Sequence, residues 1–297
     1  MWLLLAIASA FFLGFYDIFK KISLKENAVL PTLFLSTVFA SIIMGGITLA
    51  SISGWVAADH PAFVSHLTLS EHLRIILKTV IVLTSWICTY FALKNLPLTI
   101  FAPIRSTGPL WTMLGAFFIF SEKLSPLQGV GAALIFIFFY LFSNTGKLEG
   151  ISFRSNRYIW LMILGTLMGS VSALYDRYLL REMEVMAVQA YFTFYQTLLL
   201  IPVLLILWMP QKKTSTPFKW HWAIPFIGVF LLIGDFFYFY SIALPDSLIS
   251  IISLVRRSNV IIVFAFGALF YQEKNVKRKG LYLAGILVGL ILLVIGR

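Results

Sequence analysis

Charge is what this chain has least of. Asp, Glu, Lys and Arg make up 12% of its 297 residues, against roughly 25% in soluble domains. So small a stock cannot cover a water-facing surface, and an ordinary soluble domain is excluded. Cysteine is rarer still: Cys88 stands alone, which rules out a disulfide framework and a cysteine-based metal cluster. Histidine is scarce too, and His60, His66 and His72, spaced by six, fit no helical metal motif; they are expected to be solvated residues in or beside the longest loop. No Ser-His-Asp order falls on one face, and no glycine-rich phosphate loop follows a strand. Neither an enzyme nor a cofactor is therefore expected.

What the chain has is apolar length. Hydrophobic residues make up 60% of it, with mean hydropathy +0.93. A bilayer span takes ~20 apolar residues. Ten such runs are found: Trp2–Phe19, Leu30–Ser51, Ile75–Leu93, Leu98–Phe120, Leu127–Phe142, Tyr158–Leu179, Val185–Trp208, Trp222–Ala243, Leu248–Tyr271 and Leu281–Ile295. They do not alternate polar with apolar residues, so helices rather than a barrel are expected. Bases exceed acids, giving a net charge of +11 and a pI near 9.8. Because the bases lie almost entirely between the runs, they orient helices in a bilayer rather than bind nucleic acid. Ala6-Ile7-Ala8 resembles a signal-peptide cleavage box, but no basic segment precedes it and the apolar run continues past it, so cleavage is not expected.

The runs repeat. VRRSNVIIVFAFGALFYQEK, Val255 to Lys274, lies over IRSTGPLWTMLGAFFIFSEK, Ile104 to Lys123, without a gap, placing Arg256 on Arg105, Glu273 on Glu122 and Lys274 on Lys123. The first run ends on Tyr16-Asp17 and the sixth on Tyr175-Asp176; the third ends YFALKNLP and the eighth YFYSIALP. Pro97 and Pro245 should each stop one helix and launch the next, because the residue before proline is pushed out of helical geometry. These landmarks keep one order, so residues 1–143 and 157–297 are expected to be repeats of five helices joined by a linker at 144–156. Five is odd, so the second copy enters the membrane inverted. Inverted repeats are a building plan of secondary transporters, with the substrate near the midplane between the halves.

With ALKNLP, SIALP, FSEKLSPLQGVG and FYQEKNVKRKG in these places, the chain resembles the drug/metabolite transporter superfamily, specifically its ten-helix EamA-type members, over nearly its whole length. The first copy keeps Pro109 in its fourth helix; the second has Val260 there, with Arg256-Arg257 just before. The resemblance implies an all-α membrane protein of ten transmembrane helices, two inverted five-helix repeats around a central cavity. It also implies secondary transport by alternating access in the cell (inner) membrane, with export and proton coupling as family features.

Charge inside a span costs ~2.5–3.5 kcal/mol even on the mildest scale, so a retained one is a functional candidate. Arg105, Arg256 and Arg257 would approach the midplane from opposite sides, suited to a carboxylate or phosphate that arginine grips bidentately. Snorkelling to headgroups is the alternative use of so long a side chain. Asp235, central in the eighth run, could pair with Arg256 or Arg257, hold a coupling proton, contact a substrate amine, or simply be structural. Trp86, Tyr90, Trp111, Tyr238 and Tyr240 are candidate cavity aromatics; ordinary packing is the other reading. Asp17 with Lys20 and Lys21, and Asp176 with Arg177 and Arg181, end their runs and are expected at the interface. Glu122 and Glu273 are expected to be structural.

Loops after odd-numbered runs carry 14 Lys and Arg and the other face 6, so the positive-inside rule puts both termini outside. The expected partners are a small-molecule substrate, amino acids or organic anions foremost, and the lipid bilayer, with the protein a monomer or homodimer. A phosphorylated-metabolite or nucleotide-sugar exchanger of the same fold is the second reading. A lipid-handling or non-transporting membrane protein is the third, and a cavity lined only by apolar side chains would favour it.

Overall fold

The computed structural model describes residues 1–112, 114, 125–147, 153–212, 216–244, 252, 255–271 and 275–296. Every regular element among these is helical, as lipid demands of a backbone that finds no water to bond. The helices are α1 (Trp2–Ser23), α2 (Val29–Ile52), α3 (Leu69–Asn95), α4 (Leu98–Ser106), α5 (Pro126–Lys147), α6 (Arg157–Leu179), α7 (Val185–Val203), α8 (Ala223–Ala243), α9 (Asn259–Phe270) and α10 (Val276–Ile295). Among the described residues, six stretches are long and apolar enough to cross a bilayer: α1, α2, α3, α6, α8 and Val185–Gln211, which contains α7. This is a multi-pass membrane protein. The expected fourth and ninth spans run partly outside the described residues, and Glu122, Glu273 and Pro245 lie wholly outside them.

Local sequence explains the helix ends. Thr68 and Glu71 close a reciprocal capping box at the start of α3, satisfying donors a helix N-terminus leaves free. Asn156 Oδ1 accepts from Tyr158 N at 2.9 Å at the start of α6. Leu96 leaves α3 extended (φ −111°, ψ 147°), and Leu244 leaves α8 extended (φ −68°, ψ 141°). Both precede a proline, so YFALKNLP and YFYSIALP end their helices by one mechanism. Lys21 reaches from α1 to the end of α3, donating to the carbonyls of Leu93 and Leu96 at 2.8 Å each. It therefore caps a neighbouring helix rather than pairing with Asp17.

The halves interlock. α1 packs on α8, α3 on α6, α2 on α7, α4 on α9 and α5 on α10. Exchanging the two halves turns the α1–α8 pair into α6–α3 and returns the other three pairs to themselves, a two-fold relation between repeats. Small residues set the close approaches, as in membrane bundles generally. A Cβ on Gly165 would lie 2.6 Å from Thr89 Cγ2, and one on Gly228 would overlap the Ser36 carbonyl. The outer surface carries Phe11, Leu77, Ile137 and Phe226, exposed, an apolar face suited to lipid. Asp17, Lys20, Lys78 and Lys279 are buried instead. Polar groups have gone inward, where a bilayer protein keeps its function.

Candidate functional site

Two broken helices build the site. α4 ends at Ser106, Thr107 is a turn, and residues 108–112 are helical again; residues 255–257 are helical, Ser258 is a turn, and α9 follows. At each break the hydroxyl and the amide return to one carbonyl three residues back. Thr107 Oγ1 and N lie 2.8 and 3.2 Å from Ile104 O, and Ser258 Oγ and N lie 2.6 and 3.0 Å from Val255 O. Such local bonds compete with the helical ladder and bend it. Pro109 alone cannot account for the break, because the second copy breaks at the same place with Val260 there. A hydroxyl at the matching position is what the two breaks share.

The breaks present arginines to a cavity of about 130 Å³ at the seam between the halves, walled by α1, α3, α4, α6, α7 and α8, by Pro109 and Thr112, and by Arg256, Arg257 and Asn259. One water requires ~10–15 Å³ on this measure, so the space suits a small metabolite. Asp17 of α1 stands behind one end. Its Oδ1 lies 2.8 Å from Lys20 Nζ and 3.0 Å from Arg105 Nη1, and Asn259 Nδ2 donates to its Oδ2 at 3.2 Å. One carboxylate thus ties α1 to the broken helices of both halves. Lys20 also lies over the rings of Tyr16 and Tyr90, at 4.2 and 4.7 Å from their centroids.

At the other end Lys78 of α3 pairs with Asp176 of α6, and Arg256 pairs with Asp235 of α8. Arg256 lies 3.7 Å above the Tyr238 ring, and Lys78 lies 4.3 Å from the centre of Phe192. Cations over aromatic faces gain most where water is scarce. Arg257 is different: among the described residues it forms no ion pair. Its guanidinium lies along Gly108, where a Cβ would meet Nη2, Cζ and Nε at 3.1–3.3 Å. Beyond Asp235 lies a water-sized pocket of about 10 Å³, also bordered by Gln189 and Gln196.

The structure brings Arg105, Arg256, Arg257, Asp235, Trp86 and Tyr238 together on the chamber wall. Three expected aromatics are not on it. Tyr240 points its hydroxyl to the Pro61 carbonyl and packs on Phe236. It follows Tyr238 by two residues, about 200° round a helix, so the two cannot face one way. Trp111 turns back on the break, its Nε1 donating to Thr107 Oγ1 at 3.1 Å. Tyr90 is fully buried behind the wall, under Lys20.

Four charges are the converse. Asp17, Lys20 and Asp176, expected at the interface, are buried, and Lys78, counted among loop cations, is 2% exposed. The repeated Tyr-Asp pair at the ends of α1 and α6 was the signal for the two aspartates. Lys78 gave none beyond its place inside a span. His72 is no solvated loop residue either: it sits in the first turns of α3, with Nδ1 2.9 Å from the Tyr195 hydroxyl. Among the described residues, no cluster of His, Cys, Asp and Glu could hold a metal ion.

Two helical repeats closing on a polar chamber, inside an apolar exterior, define a membrane protein built as carriers are built. The EamA-like transporter family matches residues 1–144 and again 156–295, and the chain belongs to that family. It is a membrane transporter of the drug/metabolite type by that membership. No curated protein matches the sequence. A solved crystal structure, described only as that of a protein, shares the fold with a TM-score of 0.67 at 13% identity, over 98% of this chain and 96% of that one.

Proposed function

We propose that the protein is a secondary carrier that moves a small organic metabolite, an amino acid or an organic anion, through the seam chamber by alternating access. The observation that carries this reading is the convergence of ionic side chains from both repeats on one cavity, at two helix breaks placed alike in each. Half-helices broken near the membrane midplane are how inverted-repeat carriers expose backbone and charge to a substrate. The ion pair of Lys78 with Asp176, which joins the two repeats at the cavity, gives the halves a contact that can be exchanged as they rock. Trp86, Tyr238 and Phe192 supply an apolar wall for the rest of the molecule. Export, proton coupling and residence in the inner cell membrane rest on family likeness alone. A purely lipid-handling role fits less well, because the wall carries five cations among the described residues.

Alternating access is tested without knowing the substrate. Ser172, buried on the chamber wall, is changed to cysteine in a Cys88→Ser background and reconstituted in vesicles of either orientation. A membrane-impermeant methanethiosulfonate is expected to label Ser172→Cys from both sides. Labelling from one side only, under every condition, would refute the carrier.

A further inference from the structure

The carboxylates of the chamber are already engaged. Asp17 serves both Lys20 and Arg105, Asp176 serves Lys78, and Asp235 serves Arg256. None is free to receive a substrate ammonium. Among the described residues, five cations on the wall against three carboxylates leave an excess of two positive charges. One of the two lies on Lys20 and Arg105, which share Asp17; the other lies on Arg257, which stands beside Arg256 and has no carboxylate in ion-pair contact among the described residues. A charge taken out of water and left uncompensated is costly, and arginine cannot shed it. Next to it, Arg256 has a buried Nε without a hydrogen-bond partner. Gly108 makes the arrangement possible, since any side chain there would press on the guanidinium.

We propose that Arg257, lying against Gly108 with Arg256 beside it, anchors the anionic group of the transported solute, and that this solute is an organic anion rather than a zwitterion. The proposal rests on the carrier reading and sharpens it by choosing between the two substrate kinds. A carboxylate or a phosphate would receive parallel N–H donors from the guanidinium. The excess of two charges fits a dicarboxylate or a phosphate monoester, with the carbon skeleton against Trp86 and Tyr238.

The experiment uses the purified full chain in detergent and four probes: succinate, glycerol 3-phosphate, the neutral succinamide and the zwitterion leucine. Binding is read as thermal stabilisation across a concentration series. One or both anions are expected to stabilise the wild type and the other two probes are not; which anion binds tells carboxylate from phosphate. Arg257→Gln should weaken that binding about tenfold or more, the loss of a charged hydrogen bond, and Arg257→Lys by less. Arg74→Gln, which breaks an ion pair on the periphery with Glu182, should leave it unchanged. Without any probe, Arg257→Gln should be at least as stable as the wild type.

Stabilisation by leucine that survives Arg257→Gln would overturn the proposal. So would no response to either anion, or a clear loss of stability in probe-free Arg257→Gln. Counterflow in proteoliposomes separates this failure from that of the carrier. Arg257-dependent binding without counterflow sinks the carrier and keeps the anion site. Leucine counterflow indifferent to Arg257→Gln does the reverse.

Discussion

Replacing Asp17 by asparagine keeps the shape of the side chain and removes the charge on which the chamber depends most. Asp17 is fully buried and is the only carboxylate among the described residues in contact with Lys20 and with Arg105. Removing one partner of a buried pair costs about 3–5 kcal/mol, because the survivor is left charged and desolvated. Lys20 is 1% exposed and bears that in full, whereas the Arg105 side chain, 18% exposed toward the chamber, is partly hydrated. The expected loss is therefore about 4 kcal/mol, which for a chain this size lowers Tm by on the order of 10 °C. The assay is thermal unfolding in detergent, run as a double-mutant cycle with Arg105→Gln. Removing Arg105 relieves one of the two orphaned cations, so the double variant should be more stable than the sum of the singles by about 1–3 kcal/mol. A loss under about 1 kcal/mol for Asp17→Asn, or strict additivity in the cycle, would refute the assignment of Asp17 as the carboxylate that Lys20 and Arg105 share.

Gly165→Val should wedge α3 from α6, since its Cβ would stand 2.6 Å from Thr89 Cγ2; a loss of about 1–3 kcal/mol in thermal unfolding is expected, as for overpacked cores. Thr89→Ala in the same chain should recover part of it, and no recovery would place the strain elsewhere. A reporter fused to the C-terminus should signal from outside the cell. Dropping buried Lys20, Lys78 and Lys279 from the charge count leaves the bias in the same direction, and a cytoplasmic signal would reverse it.

Much of the architecture was legible along the chain, because the bilayer imposes one-dimensional rules. Apolar length, charge scarcity and proline at the ends of YFALKNLP and YFYSIALP are local properties, and each places a helix without reference to its neighbours. The duplicated order of landmarks carried the two-repeat plan in the same way. Arg105 and Arg256 were legible as matched positions for one more reason: cost singles out any charge within an apolar run, whatever surrounds it.

Which way a residue faces is a different matter, since it depends on where helices distant in sequence come to lie. Distance along a run put Asp17 and Asp176 at span ends, yet α8 and α9 pack over the first and α3 over the second, turning an apparent interface into an interior. Asp235 had several partners open to it on paper; the packing of α8 beside the second broken helix selected Arg256 and left Arg257 without an ion pair among the described residues. Tyr238 and Tyr240 share composition and neighbourhood, and the helical turn between them sends one to the chamber and the other to the Pro61 carbonyl. The sequence by itself therefore determined which segments are apolar enough to cross the membrane and singled out Arg105, Arg256, Arg257 and Asp235 within them. The burial of Asp17, Lys20, Lys78 and Asp176, and every pairing but the i, i+3 contact of Asp17 with Lys20, were decided only by tertiary packing, because those ion pairs join side chains from different segments that no local rule relates.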